Sequence, residues 1–210
     1  MIKKIRNFKF VIRNCQAGMT YVELIVVLSI FSVMSSVVLF NYKGFESNID
    51  IRVLSNDVAL KIVEAQKSSV SGKLPPSGKN SILNWKPAYG VYFDPDSPQH
   101  FIYFVDLNNS NFFSSLICSG ECLNDIIITK GNKYKIESCT TVDCSNPDLI
   151  EDPLSITFKR PNSGATFSYS DNTSITITSS VYVRITVYSS DDSVNPGYIK
   201  IYPSGRIQIN

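Results

Sequence analysis

A single carboxylate stands at the edge of a long uncharged segment near the start of the chain. Glu23 lies five residues after Gly18, and the sixteen residues from Ile25 to Phe40 carry no charge. A charged side chain costs about 2.5–3.5 kcal/mol at the centre of a bilayer on insertion scales. In such a medium a carboxylate either takes up a proton or pairs with a cation. We therefore expect Glu23 to have a specific partner.

Four of the five cysteines form a second group of residues with chemical potential. They are Cys118, Cys122, Cys139 and Cys144. A cluster of this kind on the far side of a membrane predicts disulfide bonds. A zinc site is the alternative, but the cysteines are spaced Cys-x3-Cys and Cys-x4-Cys, whereas zinc sites usually begin Cys-x2-Cys. The sequence therefore predicts two disulfides and no metal.

The connectivity of these cysteines depends on the segment between them. The runs Ile126–Thr129 and Tyr134–Glu137 flank Lys130-Gly131-Asn132-Lys133, a sequence typical of a hairpin turn. In a hairpin, paired positions have a nearly constant sum of residue numbers. This rule favours nested bridges, Cys122 with Cys139 and Cys118 with Cys144. Two local loops, 118–122 and 139–144, are the alternative.

The remaining residues that could do chemistry do not form a recognisable catalytic motif. His100 is the only histidine, and His100, a cysteine and Arg184 or Arg206 could be combined into a transpeptidase site. No nucleophile motif or phosphate-binding glycine loop accompanies them. The run Asp106–Ser110 is like the start of a calcium loop, but it lacks the later glycine and acid. We predict a turn there, no enzymatic activity and no cofactor.

The charges divide the chain into a basic leader and a mildly acidic remainder. Residues 1–18 carry five basic residues and no acid, whereas residues 19–210 carry 15 basic and 18 acidic residues. A basic flank of an apolar segment is usually cytoplasmic. The acidic remainder argues against broad, non-specific binding of nucleic acid. Residues 24–40 would span roughly 25 Å as a helix, the short end of a membrane span.

The rest of the sequence predicts one long helix followed by many strands. An apolar stripe recurs at steps of three and four residues after the membrane segment, Gly72 is a candidate C-terminal cap and Pro75-Pro76 prevents continuation. Together with the apolar segment, these signals predict one helix from Thr20 to Ser71. The stripe residues are Ile51, Leu54, Val58, Ile62 and Ala65. The predicted strands are Tyr89–Phe93, Phe101–Val105, Ile126–Thr129, Tyr134–Glu137, Ser155–Lys159, Thr173–Ser179, Val181–Ser189, Tyr198–Tyr202 and Arg206–Ile209.

The fold class predicted is α+β, with the long helix packed on a C-terminal antiparallel sheet domain. We divide the chain into a leader (1–18), a helix (19–72, with the transmembrane segment at about 24–40) and a strand-rich extracytoplasmic domain (73–210).

The segment Gly18-Met19-Thr20-Tyr21-Val22-Glu23-Leu24 resembles the processing motif of type IV pilins and pseudopilins. That motif is a glycine, a hydrophobic residue, usually Thr-Leu-Ile, and then Glu-Leu. A basic leader and an apolar helix accompany it in the family, and both are present here. The family usually has Phe where this chain has Met19. The resemblance implies the pilin fold, a long helix on a sheet domain.

The resemblance also implies a life cycle and a set of partners. A prepilin peptidase would cut after Gly18 and methylate the new amine of Met19. Glu23 would pair with the amine of a neighbouring subunit or of its own chain, which sets the register of assembly. The chain would lie in the bacterial inner membrane, surrounded by lipid, and then join other subunits through an inner-membrane assembly platform. The product would be a type IV pilus or a type II secretion pseudopilus.

Parts of the strand-rich region resemble the GspH/FimT-like minor pilins more loosely. These parts are 59–70, 89–94, 101–106 and 197–207. Some members bind DNA through a C-terminal Gly-Arg-x-Arg element, which corresponds here to Gly205-Arg206-Ile207-Gln208. Gln208 cannot offer a phosphate a positive charge. Arg206 and Lys200 are therefore candidate DNA contacts in an alternative that we do not favour. A membrane-anchored binding module that does not polymerise is the other alternative.

Overall fold

The computed structural model of the protein describes residues 18–77, 87–113, 120–169, 181–190 and 195–210. The chain divides into two compact units, residues 1–43 and 44–210. One long helix, α1 (Tyr21–Ser71), contributes to both units. All strands belong to the second unit.

The end of α1 is fixed by a glycine, as the sequence predicts. Gly72 has a φ of 64°, a left-handed conformation that other residues adopt only at a cost. Its N–H donates to the carbonyl of Ser69 over 2.9 Å, and the N–H of Lys73 donates to the carbonyl of Ser68 over 3.0 Å. These two bonds form a Schellman motif, which satisfies carbonyls that the helix would otherwise leave open. The predicted C-terminal cap is confirmed.

Within the described residues, ten strands form two antiparallel sheets. The strands are β1 (Ala88–Phe93), β2 (His100–Asp106), β3 (Cys122–Ile127), β4 (Lys133–Cys139), β5 (Asp148–Leu149), β6 (Leu154–Phe158), β7 (Ala165–Tyr169), β8 (Tyr182–Tyr188), β9 (Gly197–Ile201) and β10 (Ile207–Ile209). The first sheet has the order β3-β2-β1-β6-β7, and the second has the order β10-β9-β8-β4-β5.

One hydrophobic core joins the helix to both sheets. On α1, Val58, Ile62 and Ala65 have no exposed surface. They belong to the same buried cluster as Val91 and Ile156 of the first sheet, together with residues of the second sheet such as Ile185 and Ile199. The apolar stripe predicted from the sequence is therefore the core-facing side of the helix, although Leu54 is only partly buried. The α+β class is confirmed.

Most predicted strands are present, with ends moved by a few residues. The predicted strand Thr173–Ser179 lies outside the described residues. Two observed strands, β5 and β7, were not predicted from the sequence. On β8, Val183, Ile185 and Val187 are buried as the alternation predicts. The opposite side of β8 faces away from that core but is also largely covered, since Tyr182 and Thr186 are buried and Arg184 and Tyr188 are partly buried.

The predicted hairpin between β3 and β4 is wrong. The turn itself exists, because Lys130 and Gly131 have φ values of 61° and 72°. However, β3 pairs with β2, and β4 pairs with β8 and β5. The turn therefore carries the chain from the first sheet to the second. A local turn sequence fixes the reversal of the backbone, but burial of the two flanking strands decides which neighbours they take.

Candidate assembly site

The first turn of α1 contains a reciprocal cap between Thr20 and Glu23. The Glu23 carboxylate accepts bonds from the Thr20 backbone N–H and from the Thr20 hydroxyl, each 2.9 Å long. The Glu23 N–H donates to the Thr20 hydroxyl oxygen over 3.3 Å. This is a capping box, which satisfies donors that the start of a helix leaves open. Glu23 thus has a partner within its own chain, and the Thr-x-x-Glu spacing that signals it is visible in the sequence.

The residues around the predicted cleavage position are accessible. A side chain built at Gly18 would meet no atom within 4 Å, and Met19 is 67% exposed. Because Met19 directly precedes the N-cap, a new amine there would lie within one helical turn of the Glu23 carboxylate. A cation at that end opposes the positive pole of the helix dipole. The Glu23 carboxylate would offset both charges.

The apolar part of α1 presents its side chains outwards. The large apolar residues from Leu24 to Leu39 are between 47% and 69% exposed. The helix is long and apolar enough to cross a membrane, which by itself is weak evidence because signal sequences pass the same test. An exposed apolar surface of this extent is typical of a membrane or protein contact.

A second apolar surface lies on the part of α1 that packs against the sheets, on the side opposite the core. Its members recur at steps of three, four or seven residues, which is one face of a helix, and the exposed polar residues Asn56 and Lys67 occupy the two seven-residue gaps. We call it the outer stripe: Ile49, Val53, Leu60, Val63 and Val70. Each is between 42% and 62% exposed. The outer stripe was not predicted from the sequence, although its members recur at helical spacing.

The three described cysteines are all disulfide-bonded, and one of the bridges is local. Cys139 is bonded to Cys144, with their Cα atoms 5.0 Å apart. Cys122 is also disulfide-bonded, and its partner lies outside the described residues, as do Cys15 and Cys118. The nested pairing of Cys122 with Cys139 is therefore wrong. Its premise was the hairpin, whereas Cys122 lies on the first sheet and Cys139 on the second.

The other candidate residues are used in local structure. His100 Nδ1 lies 3.2 Å from Asp125 Oδ1. The Asp106 carboxylate is buried and accepts the backbone N–H groups of Ser110 and Asn111 over 3.1 and 3.0 Å. These bonds close the turn that the sequence predicts. They also occupy both carboxylate oxygens of Asp106, which would bind the metal ion in a calcium loop. Among the described residues, no group of three acidic, histidine or cysteine side chains could hold a metal ion.

A buried carboxylate on the second sheet was not predicted. Glu137 is 3% exposed. Its carboxylate accepts bonds from Arg184 Nε over 2.7 Å, from the Thr186 hydroxyl over 2.7 Å and from Lys135 Nζ over 2.9 Å. Burial acts to raise the pKa of Glu137, but the bonds from Arg184, Thr186 and Lys135 outweigh it and lower the pKa. The network holds the outward side of β4 and β8 together.

Arg184→Met should destabilise the protein by about 2 kcal/mol, because it removes one charged hydrogen bond from a carboxylate that stays buried. Lys135→Met is the matched control. Its ammonium bonds the same carboxylate, but the Lys135 side chain is 46% exposed, against 16% for Arg184, so we expect a loss of less than about 1 kcal/mol. Denaturant unfolding of the full chain in detergent micelles measures both. Equal losses of unfolding free energy in the two variants would contradict the assignment of Arg184 as the main partner of Glu137.

The two candidate DNA contacts lie on the outward side of the second sheet. Lys200 opposes Arg184 on β8 and Gln208 on β10. The Arg206 guanidinium donates to the Gln208 side-chain carbonyl over 2.9 Å. Gln208, which replaces an arginine of the resemblance, thus orients Arg206. Among the described residues, neither Lys200 nor Arg206 forms an ion pair with a carboxylate.

Comparisons of this chain with protein families, with curated proteins and with solved structures find no match.

Proposed function

We propose that this chain is a structural subunit of a helical filament, of the type IV pilin or pseudopilin kind. In this proposal a prepilin peptidase removes residues 1–18 at the inner membrane and methylates the amine of Met19. The helix then leaves the bilayer and packs against copies of itself or related subunits, on an assembly platform. The strand-rich domain, outside the cytoplasm, is that of a minor subunit at the tip or at initiation.

The observation that carries the proposal is the placement of Glu23 at the start of the exposed apolar part of α1. Its carboxylate lies in the first turn, next to the position where proteolysis would create a cation. The apolar surface that follows is stable in lipid, and equally against other helices, where close packing replaces lipid contact. A chain that must exchange one environment for the other needs a charge pair that sets its register. An ordinary membrane anchor has no such need.

The outer stripe supports the same proposal from a different part of the chain. Ile49, Val53 and Leu60 are exposed on one side of α1, and grouped apolar side chains of this kind are typical of a protein contact. Repeats at steps of three and four residues are the pattern by which helices pack side by side. This observation favours assembly over the non-polymerising binding module.

Leu60→Asp should lower the amount of the chain in sheared filaments by at least about tenfold, because it places a charge in a packed helix interface. The amount is measured by immunoblot of the sheared fraction against the membrane fraction. Asn48→Asp makes the same change of charge at an exposed position of the same helix. It also loses the bond that the Asn48 amide donates to the Gly44 carbonyl over 2.7 Å, and it should nevertheless assemble as wild type does. If Leu60→Asp also assembles normally, the outer stripe is not an assembly surface and the anchored module becomes the better account.

A further inference from the structure

An apolar groove opens at one end of the strand-rich domain, where the turn between β1 and β2 meets β4, β5 and β8. We call it the end groove. Its volume is about 340 Å³, within the range of about 300–1,000 Å³ for sites that hold small ligands. Leu149 is 57% exposed there, and Tyr188 is partly buried. The apolar lining consists of Pro95, Pro98, Ile136, Leu149, Ile150 and Tyr188.

The border of the end groove is acidic. Lys135 lines the groove, but its ammonium is bonded to Glu137 over 2.9 Å, and Lys133 lies near the first of the acids. No acid of the border forms an ion pair with a cation among the described residues. The groove therefore suits an apolar occupant that carries a positive charge. The acids are Asp96 and Glu151 in the lining, with Asp94 and Asp152 beside them in the chain.

The segment that follows α1 has the matching properties. It reads Lys73-Leu74-Pro75-Pro76. Leu74 is 70% exposed, and Lys73 is exposed without an ion pair to any described carboxylate. The two prolines fix their own backbone and restrict Leu74 to extended conformations. A segment of this kind loses little conformational entropy when it binds.

The Lys73–Pro76 segment and the end groove lie at opposite ends of the first sheet. The Tyr89 hydroxyl, near the start of β1, donates to the Lys73 carbonyl over 3.1 Å, whereas the groove follows Phe93, the last residue of β1. From Tyr89 to Phe93 the strand extends about 14 Å. The segment of one chain is therefore remote from its own groove, and a second copy displaced along the strands brings its segment to it. Such a head-to-tail contact, repeated without closing, produces a helical filament.

We propose that the end groove binds the Lys73–Pro76 segment of a second copy of this chain. In this contact Leu74 enters the apolar lining, and Lys73 lies beside Asp96 and Glu151. The inference rests on the proposed function, because it names the surfaces by which neighbouring domains join. It can fail separately, since the contact between two copies is measurable in membranes before any filament forms.

The test is photo-crosslinking of two co-produced full chains in membranes. One copy carries Leu74→p-benzoylphenylalanine, and the other carries an affinity tag. Mass spectrometry should locate the crosslink within residues 94–98 or 148–151 of the tagged copy. Val142→p-benzoylphenylalanine is the matched control, because Val142 is 73% exposed on the disulfide loop, and it should not crosslink to the groove.

A charge exchange tests the acidic border. Asp96→Lys/Glu151→Lys in the tagged copy should lower the yield of crosslinked dimer by at least about fivefold. Adding Lys73→Glu to the labelled copy should restore the yield by at least about threefold, because attraction across the contact is then re-established. Restoration also shows that both altered chains are folded.

Four results would overturn the proposal. They are the absence of a crosslinked dimer, a crosslink outside the groove, a crosslink to a different protein instead of a second copy, and no restoration by the charge exchange. Immunoblotting of sheared filaments separates this contact from the proposed function. Normal filaments without the crosslink would refute the contact alone, whereas the crosslink without any filaments would support the contact and refute filament assembly.

Discussion

Glu23→Ala is expected to reduce the chain in sheared filaments by roughly a hundredfold. The reason is the cation that cleavage would leave on Met19. Without the carboxylate, that amine enters the apolar centre of a helical bundle unpaired, at a cost of about 2.5–3.5 kcal/mol. The measurement is the ratio of chain in the sheared fraction to mature chain in the membrane fraction, so that any loss of processing is counted separately.

Two further variants separate the charge of Glu23 from its role as a helix cap. Glu23→Gln can still accept the bonds of the capping box but has no charge, whereas Thr20→Ala keeps the charge and loses the cap. The account predicts that Glu23→Gln assembles as poorly as Glu23→Ala, and that Thr20→Ala loses only about fivefold, the equivalent of a lost N-cap. If Glu23→Gln assembled as wild type does, the carboxylate would be a helix cap and nothing more.

Ile62→Ala is expected to destabilise the domain by about 3–4 kcal/mol, the second largest effect. Ile62 has no exposed surface and belongs to the core cluster that joins α1 to both sheets. Truncation removes buried methyl groups and leaves a cavity that the two sheets cannot close. The measurement is denaturant unfolding of the full chain in micelles, followed by near-ultraviolet circular dichroism.

Leu60→Ala is the matched control on the same helix. Leu60 is 62% exposed on the outer stripe, so its truncation should change the free energy of unfolding by less than about 0.5 kcal/mol. In filaments the ranking should differ, since Leu60 is then at an interface. Equal destabilisation by the two substitutions in the monomer would contradict the assignment of the two faces of α1.

The features predicted correctly from the sequence are those that local chemistry determines. The end of α1 was predicted from Gly72 and the two prolines after it. A residue with left-handed backbone and a proline without an N–H each stop a helix within one turn. The core-facing stripe followed from its helical period, and β8 from strict alternation. Each of these signals is complete within a few residues.

The features that were missed depend on neighbours distant in the chain. The Lys130–Gly131 turn is compatible with a hairpin and equally with a crossing between sheets, and only the packing of the whole core selects the crossing. The nested disulfide pairing was wrong for the same reason, whereas the alternative loop 139–144 is present. Glu137 could not be identified as buried, because its partners Arg184 and Thr186 are 47 and 49 residues away. The Thr20–Glu23 cap was also not predicted, although its Thr-x-x-Glu spacing is a local signal.

The central claim is that proteolysis creates a positive chain end beside Glu23. Mass spectrometry of the intact polypeptide recovered from membranes tests it most directly. The account predicts a chain that begins at Met19, with the mass of one added methyl group on its amine. A chain that still begins at Met1, or that begins at any residue other than Met19, would contradict the account.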